Sequence, residues 1–297
     1  MPWTRLLEPA PRLPEGPLAD WFASLLQACP DAGPFELAVL GGCRAATPGL
    51  AFLAGYQAAL RVVWPSAPAA LGALCVTENR STRPADMSTR LDGLQLNGRK
   101  DYVTAGDAAD WLLVAAREEA SGESPKLALA VLHKGTPGFQ VEALPAIKLM
   151  PEVGHARLLL NNASCERLAG DGWDGYVKPF RSIEDLHVLA ALSAWHFSLA
   201  RECGWPQDLQ LRLLGLLTGC AEVARQSPSA AITHVLLAGL FAQQQALRAD
   251  LETALAAGPA HWAELWQRDQ ALLTIAGTAR AKRLEKALAA LGLSQAG

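Results

Sequence analysis

Hydrophobic positions along the chain change their period twice. Over roughly the first 70 residues they recur at helical spacing. Ala19 to Ala28 forms one such segment and Ala51 to Val63 another, with Leu53, Tyr56, Leu60 and Val63 at that spacing. Pro48 and Gly49 separate the second from the apolar stretch before it. From about 71 to 165 short runs rich in Val, Leu and Tyr lie between turn signals: ALCVT at 73–77, LQL at 94–96, DYVT at 101–104, WLLVAA at 111–116, LALAVL at 127–132, FQVEAL at 139–144 and ARLLL at 156–160. Asn97-Gly98, between LQL and RKDYVT, predicts a hairpin turn because both residues tolerate positive φ. SGESPK at 121–126 reads as a second connecting loop. Such strands, with no helix between them, predict a small antiparallel barrel or sandwich. From about 181 the helical period returns. Ser182, with Asp185 in the capping-box position, predicts the start of a helix running through roughly Glu202, which Gly204 and Pro206 then break. Further helices are expected over 208–225, 229–257 and 260–291. The resulting division is a shortened helical N-terminal part at 1–70, a middle β-domain at 71–178 and a helical bundle at 179–297.

Composition narrows the class. The chain has 297 residues, 51% of them hydrophobic, which is enough to bury a sizeable core and excludes a disordered chain. A net charge of −3 gives no broad attraction to nucleic acid. No apolar run reaches the ~18–20 residues that span a bilayer, and the N-terminus lacks the apolar region of a secretory signal, so a cytoplasmic protein is expected. The six cysteines (Cys29, Cys43, Cys75, Cys165, Cys203 and Cys220) form no CxxC pair and read as reduced thiols acting as small hydrophobes. The histidines show no metal-ligand spacing, so no metal is expected. Nucleophile-elbow, phosphate-loop and dinucleotide-fold motifs are all lacking. Leucines 209, 211, 213, 214, 216 and 217 are too dense for one stripe and predict a helix buried on most sides. Arg280, Lys282, Arg283 and Lys286 read as a solvated helix face rather than a nucleic-acid site.

The order of these zones and several local motifs resemble the acyl-CoA dehydrogenase family of FAD-dependent enzymes. Cys75-Val76-Thr77-Glu78 is similar to the segment that ends that family's first β-strand. Leu96-Asn97-Gly98-Arg99-Lys100-Asp101-Tyr102-Val103-Thr104 is similar to its "NG.K.WIT" hairpin. Ala109 to Ala116 and Thr136-Pro137-Gly138-Phe139 follow in the family's order, and Arg268 to Thr278 resembles its "RDa...iyeGT" segment. The resemblance implies a β-domain between two helical domains, FAD at their junction, an acyl-CoA substrate and a homodimer. It places Thr77 at the pyrimidine side of the flavin, Tyr102 against the ring and Thr104 toward its N5 edge. Tyr102 and Thr104, two residues apart on a strand, share a face and so offer a flat ring beside a hydroxyl.

The sequence also departs from the family. Its small-residue run after the first strand is replaced by Asn79-Arg80-Ser81-Thr82-Arg83-Pro84-Ala85-Asp86, without glycine. The family's adenosine-end segments have no counterpart in Arg201 to Pro206 or Ala257 to His261. Ala276 stands where most of these enzymes carry the Glu that abstracts the α-proton. Some relatives place that base on the first helix of the C-terminal domain, where Asp185, with Glu184 beside it, is the catalytic candidate. Three readings follow: an acyl-CoA dehydrogenase-like oxidoreductase acting on CH–CH groups of an acyl thioester, a catalytically degenerate scaffold or partner subunit of that fold, and a flavin monooxygenase of that fold.

Overall fold

The computed structural model describes residues 3–8 and 10–293. The chain opens with helices α1 (Trp3–Leu7), α2 (Leu18–Ala28), α3 (Pro34–Arg44) and α4 (Pro48–Val63). Pro48 does not merely separate segments: it is the first residue of α4, where a missing N–H costs nothing, and the Thr47 hydroxyl caps that end by accepting from Leu50 N at 3.1 Å.

The middle zone holds β1 (Gly72–Cys75), β2 (Arg90–Asp92), β3 (Gln95–Thr104), β4 (Trp111–Arg117), β5 (Leu127–His133), β6 (Phe139–Ala143), β7 (His155–Ser164) and β8 (Glu166–Arg167). They form one curled sheet in the order β6-β7-β3-β2-β4-β5-β8, with β1 pairing β4. Most pairs are antiparallel, but β1 and β2 each run parallel to β4, so the sheet is mixed. On β4 the side chains alternate: Leu112, Val114 and Ala116 pack inside the curl, whereas Trp111, Leu113 and Ala115 pack toward α4 and the following helix.

The hairpin lies elsewhere than the sequence pattern places it. Asn97-Gly98 is inside β3, at a register shift against β7, and the chain reverses at Gly93-Leu94, where Asp92 pairs with Gln95. Gly93, at φ +56°, supplies the positive angle a two-residue turn needs. Gly98 serves closeness instead, since a Cβ there would lie 2.6 Å from Thr89 Cα. A second irregularity between Lys100 and Val103 sets Asp101 and Tyr102 opposite one β7 residue, and both inward positions of β3 around it, Lys100 and Val103, are fully buried. The Lys100 ammonium meets the Glu78 carboxylate at 2.6 Å, and Glu78 also accepts from Ser88 N and Oγ and Thr89 N.

After a π-helical turn at Trp173–Val177 come α5 (Lys178–Glu202), α6 (Gln207–Val223), α7 (Ala231–Ala246), α8 (Arg248–Ala256), α9 (Ala260–Asp269) and α10 (Gly277–Ala290). The expected helix at 229–257 is two helices meeting at Leu247, and that at 260–291 is interrupted by a 3-10 turn, Gln270–Leu273. Helix α5 starts at Lys178, so Ser182 and Asp185 lie inside it and form no capping box. It is buried on nearly every side and carries the centre of the helical core, packed against α3 and α4. Glycines permit that approach: a Cβ on Gly55 of α4 would stand 2.7 Å from the His187 carbonyl oxygen of α5, and one on Gly42 of α3 would strike Ala191. Among the described residues no helix is long and apolar enough to cross a membrane.

Candidate functional site

Where the paired ends of β3 and β7 meet α4, α5 and the turn before α10, a cavity of about 380 Å3 opens. The β3 irregularity turns Tyr102 into it, half exposed and edge-on to His155 of β7 with ring centroids 5.4 Å apart. Phe52 of α4 and Met150 add apolar wall, and Ile147 and Ile275 stand exposed at its mouth. Helix α5 contributes Glu184 and Asp185, and Ala276, the cap residue of α10, lies across from them in the same lining. The position occupied by alanine here and the alternative position on α5 therefore face one space.

The two carboxylates differ in their partners. Asp185 receives Arg280 Nη1 at 2.9 Å and is paired with Arg283, both from α10. Arg280 also donates to the Leu273 carbonyl and lies over the Phe241 ring, 3.8 Å from its centroid. Burial raises the Asp185 carboxyl while the Arg283 and Arg280 guanidinium ions work against it. Glu184 makes no hydrogen bond or ion pair among the described residues. Removal from water, and then the neighbouring Asp185 charge, push its carboxyl up to about 8. A carboxyl that is partly buried, unpartnered and titrating near neutrality is suited to moving a proton.

Of the three residues that the family resemblance assigns to a flavin, the cavity takes in Tyr102. Thr104 stands outside the cavity lining and hydrogen-bonds the buried Tyr56 phenol. Tyr56 Oη also accepts the Leu74 N–H at 2.8 Å. Thr77 is partly exposed, outside the cavity lining, and its carbonyl accepts from Asp101 N at 2.9 Å. The loop that lacks the family's glycines closes as a tight turn, with Glu78 and Ser81 exchanging backbone hydrogen bonds and Asn79 and Arg80 at φ +48° and +61°. Asp101 and Arg99 clamp Asn79 in that turn.

For the ring of the flavin that the family resemblance implies, the cavity offers aromatic faces from Tyr102 and Phe52 and an unpartnered acid at Glu184, while Thr104 stands outside its lining. The sequence pattern points to Asp185 with Glu184 beside it, and the structure brings both to this cavity, differing in their partners. Arg280 and Arg283, three apart and so on one side of a helix, are the sequence feature that bears on Asp185's partners.

No protein-family model matches this sequence, and a search of curated proteins finds no match. Solved structures do resemble it. FkbI, for biosynthesis of the methoxymalonyl extender unit of the Fk520 polyketide immunosuppressant, is 20% identical, with TM-score 0.66, over 95% of this chain and 94% of that one. Butyryl-CoA dehydrogenase from Megasphaera elsdenii is 14% identical, with TM-score 0.65, over 91% and 90%. PigA with FAD and proline is 17% identical, with TM-score 0.60, over 89% and 83%. Helices, curled sheet and helices in this order, superimposable on those proteins over most of their length, give this chain the acyl-CoA dehydrogenase fold.

Proposed function

We propose that this protein is a flavin-dependent oxidoreductase that removes two hydrogens across Cα–Cβ of an acyl thioester, with Glu184 as the base. The observation that carries this reading is Glu184 itself: the unpartnered carboxyl of a cavity whose other acid, Asp185, is engaged by two guanidinium ions. Glu184 in its ionised form accepts the α-proton on one carboxylate oxygen. Asp185, held by Arg280 and Arg283, keeps a negative charge beside it and so raises its affinity for that proton. Tyr102 would pack against the flavin, Thr104 would donate at its edge, and Thr77 would lie on its pyrimidine side. When bound, the flavin would supply the two-electron acceptor for the β-hydride. Ile147 and Ile275, exposed at the mouth, would offer apolar contact to an entering acyl group.

The test has two stages. Purified protein is titrated with FAD and its visible spectrum followed, and dye-linked oxidation of a panel of acyl-CoA thioesters is then measured. Bound flavin and a turnover that falls by about 10²-fold or more in Glu184→Gln fit the proposal. A colourless protein that takes up no FAD returns the molecule to the scaffold reading. Bound flavin whose reduced form consumes oxygen, with no thioester oxidised, returns it to the monooxygenase reading.

A further inference from the structure

The sequence pattern assigns Arg280 to a solvated helix face, but the structure turns it inward. Its side chain is 15% exposed and lines the cavity that also holds Glu184. Its guanidinium lies over the Phe241 ring, donates to the Leu273 carbonyl and meets Asp185 at 2.9 Å. Those bonds use two of the five N–H donors that a guanidinium offers. No other side chain of the lining carries a permanent positive charge, and His155 is held toward its neutral form by burial. The charges around Arg280 do not balance. Asp185 is shared with Arg283, so one carboxylate faces two guanidinium ions. A third, Arg181, has neutral partners in Thr82 and Trp173, and burial, then the Arg283 charge, depress its proton affinity. Glu184, its carboxyl pushed up to about 8, holds its proton near neutrality and adds little negative charge.

A guanidinium largely withdrawn from water and incompletely neutralised favours an anion, and a carboxylate meets its planar fork in a charge-assisted fit. Room for one lies on the same side of α10. Ala276 stands one helical turn before Arg280 in the same lining, and its methyl group takes up little space there. Phe52, Leu149, Met150 and Leu272 make the lining otherwise apolar, which suits a methylene chain running between two polar ends. We infer that Arg280 selects an acyl group with a second carboxylate at the end away from the thioester, the half-thioester of a dicarboxylic acid. The inference rests on the proposed thioester chemistry for the reacting end of the substrate and on Arg280 for the other end.

Two measurements test this selection. In the first, dye-linked oxidation by the FAD-loaded full chain compares coenzyme A thioesters of equal carbon count: butyryl with succinyl, pentanoyl with glutaryl, hexanoyl with adipyl. In at least one pair kcat/KM is expected to be roughly tenfold or more higher for the carboxylated member. Arg280→Gln is expected to remove that preference through KM, whereas an arginine with a merely structural role would lower both members alike. Lys134→Gln, exposed and outside the lining, is expected to keep it. The second measurement reads binding without turnover, by ligand-observed NMR with glutaramate and pentanamide, amides of equal length that differ in the terminal carboxylate. Wild-type protein is expected to bind glutaramate more tightly, and Arg280→Gln to bind the two alike. Should Arg280→Gln fail to fold, Arg280→Lys, which keeps the charge without the fork, is expected to cut the preference severalfold. Equal or faster oxidation of the neutral partners, equal or tighter binding of pentanamide, or a preference unchanged in the Arg280 variants overturns the inference. A glutaramate preference with no thioester oxidised overturns the Glu184 reading and leaves the carboxylate site standing. Oxidation confined to the neutral thioesters does the reverse.

Discussion

Successive residues on a helix point about 100° apart, so Glu184 and Asp185 leave α5 toward different neighbours. One faces an apolar space and the other two arginines, and their chemistry diverges although their sequence positions touch. This difference is illegible in the sequence for a physical reason. Helix α5 is apolar on nearly all sides, so no polar stripe marks which direction is open. A substitution separates the two roles. Asp185→Asn removes a negative charge from beside Glu184, so Glu184 should ionise more readily and the pH profile of kcat/KM should move toward acid. The same change strands two guanidinium ions in a mostly buried setting, which costs about 3–5 kcal/mol for a broken buried pair and should lower the melting temperature. If Asp185 were itself the base, the asparagine variant would be inactive at every pH instead of shifted.

At the scale of elements, strands were read more surely than turns. WLLVAA and LALAVL appear as β4 and β5 because a continuous apolar run with turn signals at both ends has few other places to go in a sheet covered on both faces. Asn97-Gly98 misleads because the same freedom at φ > 0 that makes a turn also permits an irregular strand, and long-range pairing with β7 decides between them. The capping-box pattern at Ser182 fails for a comparable reason: the chain is already helical from Lys178, and Ser182 is buried within α5 near His234 Nδ1, 3.4 Å away. The glycines between helices were not read as packing residues, yet they set how deeply α5 lies against α4. Gly55→Val would drive a branched side chain into the His187 backbone, which cannot rotate aside as a side chain would. The expected result is a loss of about 1–3 kcal/mol or more in chemical denaturation, while a change at Gly175, where a Cβ meets nothing, is expected to be silent.

For the molecule as a whole, zone order and motif order made the fold legible, while the balance of buried charge was set by contacts between distant segments. That balance predicts how stability depends on pH. His187 and His196 are buried and their folded pKa values are lowered to about 4 and about 3, against an ordinary 6.5. Below 6.5 the unfolded chain binds protons there that the folded chain refuses, so each histidine makes stability fall as the pH drops through that window. Glu78 adds to this at lower pH. Burial alone would raise it, but Lys100, with Ser88 and Thr89, outweighs burial and holds it at about 2, so its contribution disappears as pH falls from 4.5 toward 2. Glu184 acts in the opposite sense: raised to about 8, it keeps a proton that the unfolded chain has released above 4.5, and stability falls as pH rises from 4.5 to 8. Between 4.5 and 6.5 these two histidines, joined by His155 and His234, which burial also lowers, outweigh Glu184 and stability climbs. Above 6.5 the histidines no longer differ between the two states, and the raised Glu184 makes stability decline toward pH 8. Denaturant unfolding across this range should therefore show a maximum near pH 6.5 and a decline to pH 8 that Glu184→Gln abolishes. A variant that kept the alkaline decline would mean that Glu184 ionises freely in the folded protein, and that the cavity is wetter than its lining implies.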